Sequence, residues 1–222
     1  MAWFVLVPGA CHGGWWLEPV AGELRRAGHR ADAVTLSGLD PEGPPAPAAN
    51  LDTHIGEVVE LVAARDEPVV LAGHSYGGCV ITGVADQRPG QVSALLYLDA
   101  FVPRNGESCW SMTNDEQRQW YGQDSGETGL ALAPLPFFDE RARPQPLGTL
   151  MQKSKLTGKY LTVPRKHYAA AADPAWLPHS PFVATTERLR ADPDWTVTDL
   201  ASGHNVLANG TAQVLELLLG LG

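Results

Sequence analysis

The chain has 222 residues, of which 44% are hydrophobic and 18% are charged, and it carries a formal net charge of -9. This length suits one domain around a large core, and the composition is typical of a globular protein rather than a disordered or membrane-spanning one. The acidic balance argues against nucleic acid or an anionic membrane as a partner. Three widely spaced cysteines form neither a disulfide framework nor a zinc pattern. Because the apolar N-terminus also lacks the pattern of a signal peptide, we expect a reducing, cytoplasmic location.

Apolar runs of the kind found in strands alternate with helical patterns along most of the chain. The patterns predict strands at 3–7, 30–36, 68–72, 92–98, 161–171 and 195–200, and helices at 16–27, 52–65, 78–85, 182–190 and 211–219. Nearly continuous apolar runs are typical of strands that are buried on both faces of a parallel sheet. The sequence therefore predicts an α/β fold with a doubly wound, mostly parallel sheet of about six strands.

One segment, residues 103–161, breaks this alternation and is rich in glycine, proline and polar residues. It also contains large aromatic residues, and apolar groups of this kind are what the wall of a substrate pocket requires. We expect residues 103–161 to form a lid inserted into a core domain made of residues 1–102 and 162–222. The alternative is an irregular surface excursion that the aromatic residues merely anchor. The residues predicted to line the pocket are Cys11, His12, Trp110, Trp120, Tyr121, Phe137 and Phe138.

The pentapeptide Gly73-His74-Ser75-Tyr76-Gly77 has the pattern G-x-S-x-G. A predicted strand precedes it and a predicted helix follows it, which is the context of a nucleophile elbow. Such a turn strains the serine backbone and exposes its hydroxyl group, while the first N–H groups of the helix face any negative charge that develops beside it. Ser75 is therefore the candidate nucleophile.

A serine hydroxyl needs a histidine base, and that histidine needs a carboxylate to orient it. His204 lies between the last predicted strand and the last predicted helix, at the sheet edge where we expect the elbow. In this architecture the acid lies between the serine and the histidine in the chain. Asp173 follows the strand predicted at 161–171 and is our first choice. Asp99, which follows the strand at 92–98, is the alternative.

The loop after the first strand, residues 8–14, contains three glycines in seven residues, so its backbone can approach a substrate closely. We expect the N–H group of Ala10 in this loop and that of Tyr76 in the elbow to form an oxyanion hole. His12 is expected to brace the loop by hydrogen bonding.

Four stretches together resemble one known family: PGACHGGW at 8–15, GHSYGG at 73–78, LDAFVP at 98–103 and Gly203-His204. Over nearly its whole length the chain resembles the α/β-hydrolase superfamily, and in particular its small lidded branch of plant methylesterases, hydroxynitrile lyases and bacterial relatives. The resemblance implies the roles given above, with Ser75 as nucleophile, His204 as base and Asp173 as acid. Two departures count against lyase activity, because such lyases carry threonine where this chain has Gly9 and lysine where it has Asn205.

These features predict a serine hydrolase, more narrowly a carboxylesterase that acts on a small apolar or aromatic ester through an acyl-enzyme. The alternatives are a lyase or metabolite-tailoring enzyme on the same scaffold, or a ligand-binding protein with low turnover. Neither a metal nor an organic cofactor is implied. A small-molecule ester is the expected partner, and a homodimer is left open.

Overall fold

The computed structural model describes residues 1–125 and 128–222. Its main sheet has six strands: β1 (Trp3–Val7), β2 (Arg30–Ala33), β3 (Val69–His74), β4 (Val92–Leu98), β7 (Lys166–Ala171) and β8 (Thr196–Leu200). A separate antiparallel pair is formed by β5 (Ala131–Leu132) and β6 (Gln145–Pro146). The order in the main sheet is β2-β1-β3-β4-β7-β8, and every pair is parallel. The predicted fold class is confirmed.

Helices cover both faces of this sheet. They are α1 (Glu18–Arg26), α2 (Leu51–Ala63), α3 (Gly77–Gln87), α4 (Cys109–Met112), α5 (Asp115–Gln123), α6 (Leu147–Met151), α7 (Val183–Arg190) and α8 (Val206–Leu221). Within the described part of the chain, no helix combines the length and apolar character needed to cross a lipid bilayer.

All five residues of β1 are buried, and their side chains alternate between the two faces of the sheet. Val5 and Val7 pack in the cluster that contains α2 and α3, whereas Phe4 and Leu6 pack with α1 and α8. The continuous apolar runs of the sequence therefore correspond to strands that fill two separate cores.

Three predicted elements differ from the observed ones by three residues or more. The strand predicted at 30–36 ends at Ala33, the strand predicted at 161–171 begins at Lys166, and the last helix begins at Val206 rather than at Thr211. The pair Asn209-Gly210 is typical of a break, yet Gly210 lies buried inside α8. A Cβ atom at this position would lie 3.6 Å from Ser202 Cβ, so a small residue suits the packing of the helix against the preceding loop.

The polypeptide between β4 and β7 contains α4, α5, the β5-β6 pair and α6, and it returns to the sheet beside α3. There the Asp86 carboxylate accepts hydrogen bonds from the Thr157 N–H (2.7 Å), the Thr157 hydroxyl (3.0 Å) and the Tyr160 N–H (3.2 Å). Burial raises the pKa of Asp86, but these hydrogen bonds outweigh it, and the net pKa lies below its ordinary value.

Candidate active site

Ser75 lies between β3 and α3 with φ of +50°, in the left-handed region that non-glycine residues rarely adopt. The neighbouring glycines allow the backbone to pack closely around it. A Cβ atom on Gly77 would lie 2.5 Å from the Val7 carbonyl oxygen, and one on Gly78 would lie 2.1 Å from the Phe101 carbonyl oxygen. The strand, tight turn and helix predicted around Ser75 are therefore present, and strained φ values of this kind are common at functional sites.

His204 lies in the loop between β8 and α8, and its Nδ1 atom is 2.7 Å from Asp99 Oδ2. Since the buried carboxylate accepts, the histidine Nδ1 carries the proton and Nε2 remains as the acceptor. A histidine needs this tautomer in order to take a proton from a serine hydroxyl. Ser75 and His204 line the same cavity.

Asp99 follows β4 directly and has φ of +42°. Its side chain is 1% exposed, and besides His204 it accepts hydrogen bonds from Trp176 Nε1 (3.1 Å) and from the Ala171 N–H (3.2 Å). Three donors therefore hold this carboxylate in one orientation. Asp99, our alternative acid, makes the contact with His204.

The prediction that Asp173 orients His204 is wrong. Asp173 Oδ1 accepts instead from the Ala175 N–H (2.8 Å), and the Asp173 backbone carbonyl accepts from the N–H groups of Trp176 and Leu177. This is turn chemistry, in which a short carboxylate side chain bonds its own backbone two residues further on. The turn directs Trp176, rather than the Asp173 carboxylate, towards the histidine.

The loop after β1 lies against the elbow. A Cβ atom on Gly9 would be 3.1 Å from Ser75 Cβ. The peptide that joins Ala10 to Cys11 is held at both ends, because the Ala10 carbonyl accepts from His12 Nδ1 (2.7 Å) and the Cys11 N–H donates to Gln145 Oε1 (2.8 Å). His12 therefore braces this loop, as expected.

Within residues 1–125 and 128–222, the N–H groups of Ala10 and Tyr76 have no hydrogen-bond partner. The Tyr76 hydroxyl is anchored on α2, where it donates to His54 Nδ1 (2.8 Å) while His54 Nε2 donates to the Ser37 carbonyl (3.0 Å). The N–H groups of Ala10 and Tyr76 are thus unpaired in the described part of the chain, and other hydrogen bonds hold both residues in place. Their role as an oxyanion hole remains a prediction.

Aromatic rings surround His204. Trp176 and Phe182 stack on it with centroid distances of 5.0 and 5.5 Å, and His74 lies 4.6 Å away. His74 Nε2 donates to the His204 carbonyl (2.9 Å), which fixes the loop that carries the base. Burial, with a smaller contribution from His204, lowers the pKa of His74 far below its ordinary value, so His74 is neutral.

The cavity has a volume of about 930 Å³. Five of the predicted pocket residues line it: His12, Trp120, Tyr121, Phe137 and Phe138. Two predictions were wrong. Cys11, with φ of +67°, is completely buried and does not line the cavity, and burial raises the pKa of its thiol to about 12. Trp110 lies behind the wall, packed against Tyr121.

Sequence reasoning missed several lining residues, among them Trp15, Trp16, Phe101, Trp176 and His179. Trp15 and Trp16 follow the glycine-rich loop directly, so their position beside an expected oxyanion hole was the signal that could have identified them. Trp176 and His179 lie in the turn where we had expected the acid.

Comparison with known proteins identifies the family of the chain. Residues 4–217 match the model of the alpha/beta hydrolase family, and the chain belongs to that family. Over the full length of both chains it is 34% identical to a carbendazim hydrolyzing esterase of Nocardioides sp. (strain SG-4G). It is 32% identical to Methylesterase 1 of Arabidopsis thaliana in a match that covers 61% of this chain and 57% of the plant protein.

Among solved structures, an extracellular alpha/beta-hydrolase from a Paenibacillus species superimposes with a TM-score of 0.82 over 100% of this chain and 99% of the other, at 23% identity. At that identity the likeness establishes the fold alone. The family match and the esterase relatives confirm the predicted class, a hydrolytic enzyme of the esterase type.

Proposed function

We propose that the protein is a serine carboxylesterase that hydrolyses methyl esters or similarly small esters of aromatic acids. Ser75 attacks the ester carbonyl carbon while His204 Nε2 takes the hydroxyl proton, and Asp99 holds the histidine tautomer and stabilises the imidazolium. The N–H groups of Ala10 and Tyr76 stabilise the oxyanion of the tetrahedral intermediate. His204 then returns the proton to the leaving alcohol, and water hydrolyses the acyl-enzyme by the same steps.

One observation carries this proposal: His204, whose Nδ1 is bonded to Asp99 Oδ2, lines the same cavity as Ser75, which lies in a strained elbow. A histidine held in this tautomer has the lone pair that activates a serine, and a purely structural histidine would not need it.

The aromatic lining supports the choice of substrate. Side chains such as Trp16, Trp120 and Phe138 offer flat apolar faces, against which an aromatic acyl group can stack. The substrates named in the relatives' own descriptions, carbendazim and methyl esters, are compatible with such a cavity. Within this proposal, residues 103–161 form the lid, since Trp120 and Phe138 of that segment face the cavity.

The test combines covalent labelling with a panel of substrates. A fluorophosphonate probe is expected to add to Ser75, as located by peptide mass spectrometry, and methyl benzoate is expected to be cleaved faster than methyl hexanoate. Absence of labelling and of turnover on every ester would refute the proposal. Release of an aldehyde and cyanide from an aromatic cyanohydrin, without ester cleavage, would instead establish the lyase alternative.

A further inference from the structure

Trp176 lies in the turn after β7, and its indole ring contacts both members of the acid–base pair. Its Nε1–H donates to Asp99 Oδ2 at 3.1 Å, the same oxygen that accepts from His204 Nδ1. The indole plane lies against the imidazole with a centroid distance of 5.0 Å and an interplanar angle of 22°. A single side chain therefore fixes the direction of the carboxylate oxygen and covers one face of the histidine ring.

We propose that Trp176 is a positioning residue for catalysis, which holds Asp99 and His204 in the geometry for proton transfer; this inference rests on the proposed esterase function. Two donors on one oxygen restrict the rotation of the carboxylate, and the stacked ring restricts that of the imidazole. The indole N–H also withdraws negative charge from Oδ2. Asp99 therefore binds the protonated histidine less tightly, and His204 returns its proton to the leaving alcohol more readily.

The position of Trp176 is determined by the turn. Its backbone N–H donates to the Asp173 carbonyl (2.9 Å), and the Asp173 N–H donates to the Ser202 carbonyl (3.0 Å). The turn is thus bonded to the loop that carries His204. A Cβ atom on Gly203 would lie 3.7 Å from Trp176 Cβ, so the turn lies beside the loop that carries the histidine.

Other titratable groups face the pair from neighbouring elements. His74 at the end of β3 and His12 in the loop after β1 lie near His204, and Tyr168 on β7 lies near Asp99. Burial lowers the pKa of both histidines and raises that of Tyr168, so all three are neutral around pH 7. A substitution at Trp176 leaves these three groups in place. A change in the pH profile of kcat/KM can therefore be attributed to the loss of the indole.

The first variant is Trp176→Phe, which keeps an aromatic face and removes the N–H donor. We expect kcat for 4-nitrophenyl acetate to fall about tenfold while KM stays within about twofold, since a hydrogen bond to a charged group carries energies of this order. The acid limb of the kcat/KM profile should shift to higher pH by up to about one unit, because an Asp99 with one donor fewer holds the proton on His204 more tightly. Trp176→Leu removes the stacked ring as well, so its kcat should be lower than that of Trp176→Phe.

Trp195→Phe is the matched control. Trp195 packs against Tyr97 in the core, away from the cavity, so this substitution should leave kcat, KM and the pH profile unchanged. The low-field proton resonance of His204 Nδ1–H gives a second readout and should move further downfield in Trp176→Phe but not in Trp195→Phe. Thermal unfolding checks that each variant is folded.

The inference would be overturned if Trp176→Phe altered KM alone and kept the kcat, the pH profile and the proton resonance of the wild type. Trp176 would then be only a part of the pocket wall. If the wild type neither hydrolyses esters nor reacts with the fluorophosphonate, the proposed function fails. The resonance of His204 would still test the positioning role in that case, because it requires no turnover.

Discussion

Replacing Asp99 by asparagine tests the proposed mechanism most directly. The Ala171 N–H donates to Oδ1 of this side chain, whereas the Trp176 indole N–H and His204 Nδ1 donate to Oδ2. An asparagine can keep the bond with Ala171 through its only oxygen. Its NH₂ group then faces His204 Nδ1, which has to accept. The histidine proton moves to Nε2, and the lone pair that would take the Ser75 proton is lost. Asparagine tolerates the φ of +42°, so the fold should be retained.

The expected cost follows from this change of tautomer. Loss of the correct tautomer lowers kcat by about 10⁴-fold in comparable triads, which corresponds to about 5 kcal/mol of transition-state stabilisation. The assay is steady-state hydrolysis of 4-nitrophenyl acetate with the rate of fluorophosphonate labelling measured in parallel. Both should fall together, because both require an activated Ser75.

Asp173→Asn is the matched control. The asparagine oxygen can still accept from the Ala175 N–H, so the turn should persist and kcat should fall less than about tenfold. If Asp99→Asn kept the wild-type kcat, or if Asp173→Asn cost more than Asp99→Asn, Asp99 would not be the acid.

Three further expectations concern activity, packing and pH. Ser75→Ala should abolish labelling and lower kcat by several orders of magnitude without changing the melting temperature; ester turnover at the wild-type rate would assign the nucleophile elsewhere. Gly78→Ala should prevent folding, since its Cβ would lie 2.1 Å from a backbone oxygen. In Gly122→Ala, in α5, the added Cβ meets nothing within 4 Å, so this variant should be more stable by about 0.5–1 kcal/mol in urea unfolding. Because the pKa of Asp86 is lowered in the folded state, its contribution to the free energy of unfolding is present above about pH 4 and lost as the pH falls further. Urea unfolding at pH 3 to 7 should show this loss in the wild type and a smaller one in Asp86→Asn.

The sequence was sufficient for the central strands β1, β3 and β4 because they are buried on both faces, and burial of that kind requires the continuous apolar runs that were recognised. The elbow was equally clear, since each glycine around Ser75 is required by a backbone atom within 3 Å of where its side chain would be.

The acid was harder to predict, because Asp99 and Asp173 both follow strands whose carboxyl ends lie at the same edge. The difference between them lies in backbone geometry, with a left-handed residue at Asp99 and a side-chain-capped turn at Asp173. The sequence Asp173-Pro174 did carry a signal, since this pair favours the start of a turn. Cys11 was misplaced for a similar reason, because nothing in the sequence shows that its φ is positive.

The buried amide of Gln145 has a consequence for how substrates enter. Gln145 lies in β6, within the segment between β4 and β7, yet it holds the peptide next to the Ala10 N–H, and its own Nε2 is tied to Thr149 (2.7 Å). Any outward movement of β6 would displace the peptide next to the Ala10 N–H, the proposed oxyanion donor. If this segment is the lid proposed above, we expect the substrate entrance to open at other parts of it, such as α5 and the stretch carrying Phe137, while β6 and α6 stay in place. Enlarging the entrance by mutation should begin at the exposed Phe137 and spare β6 and α6.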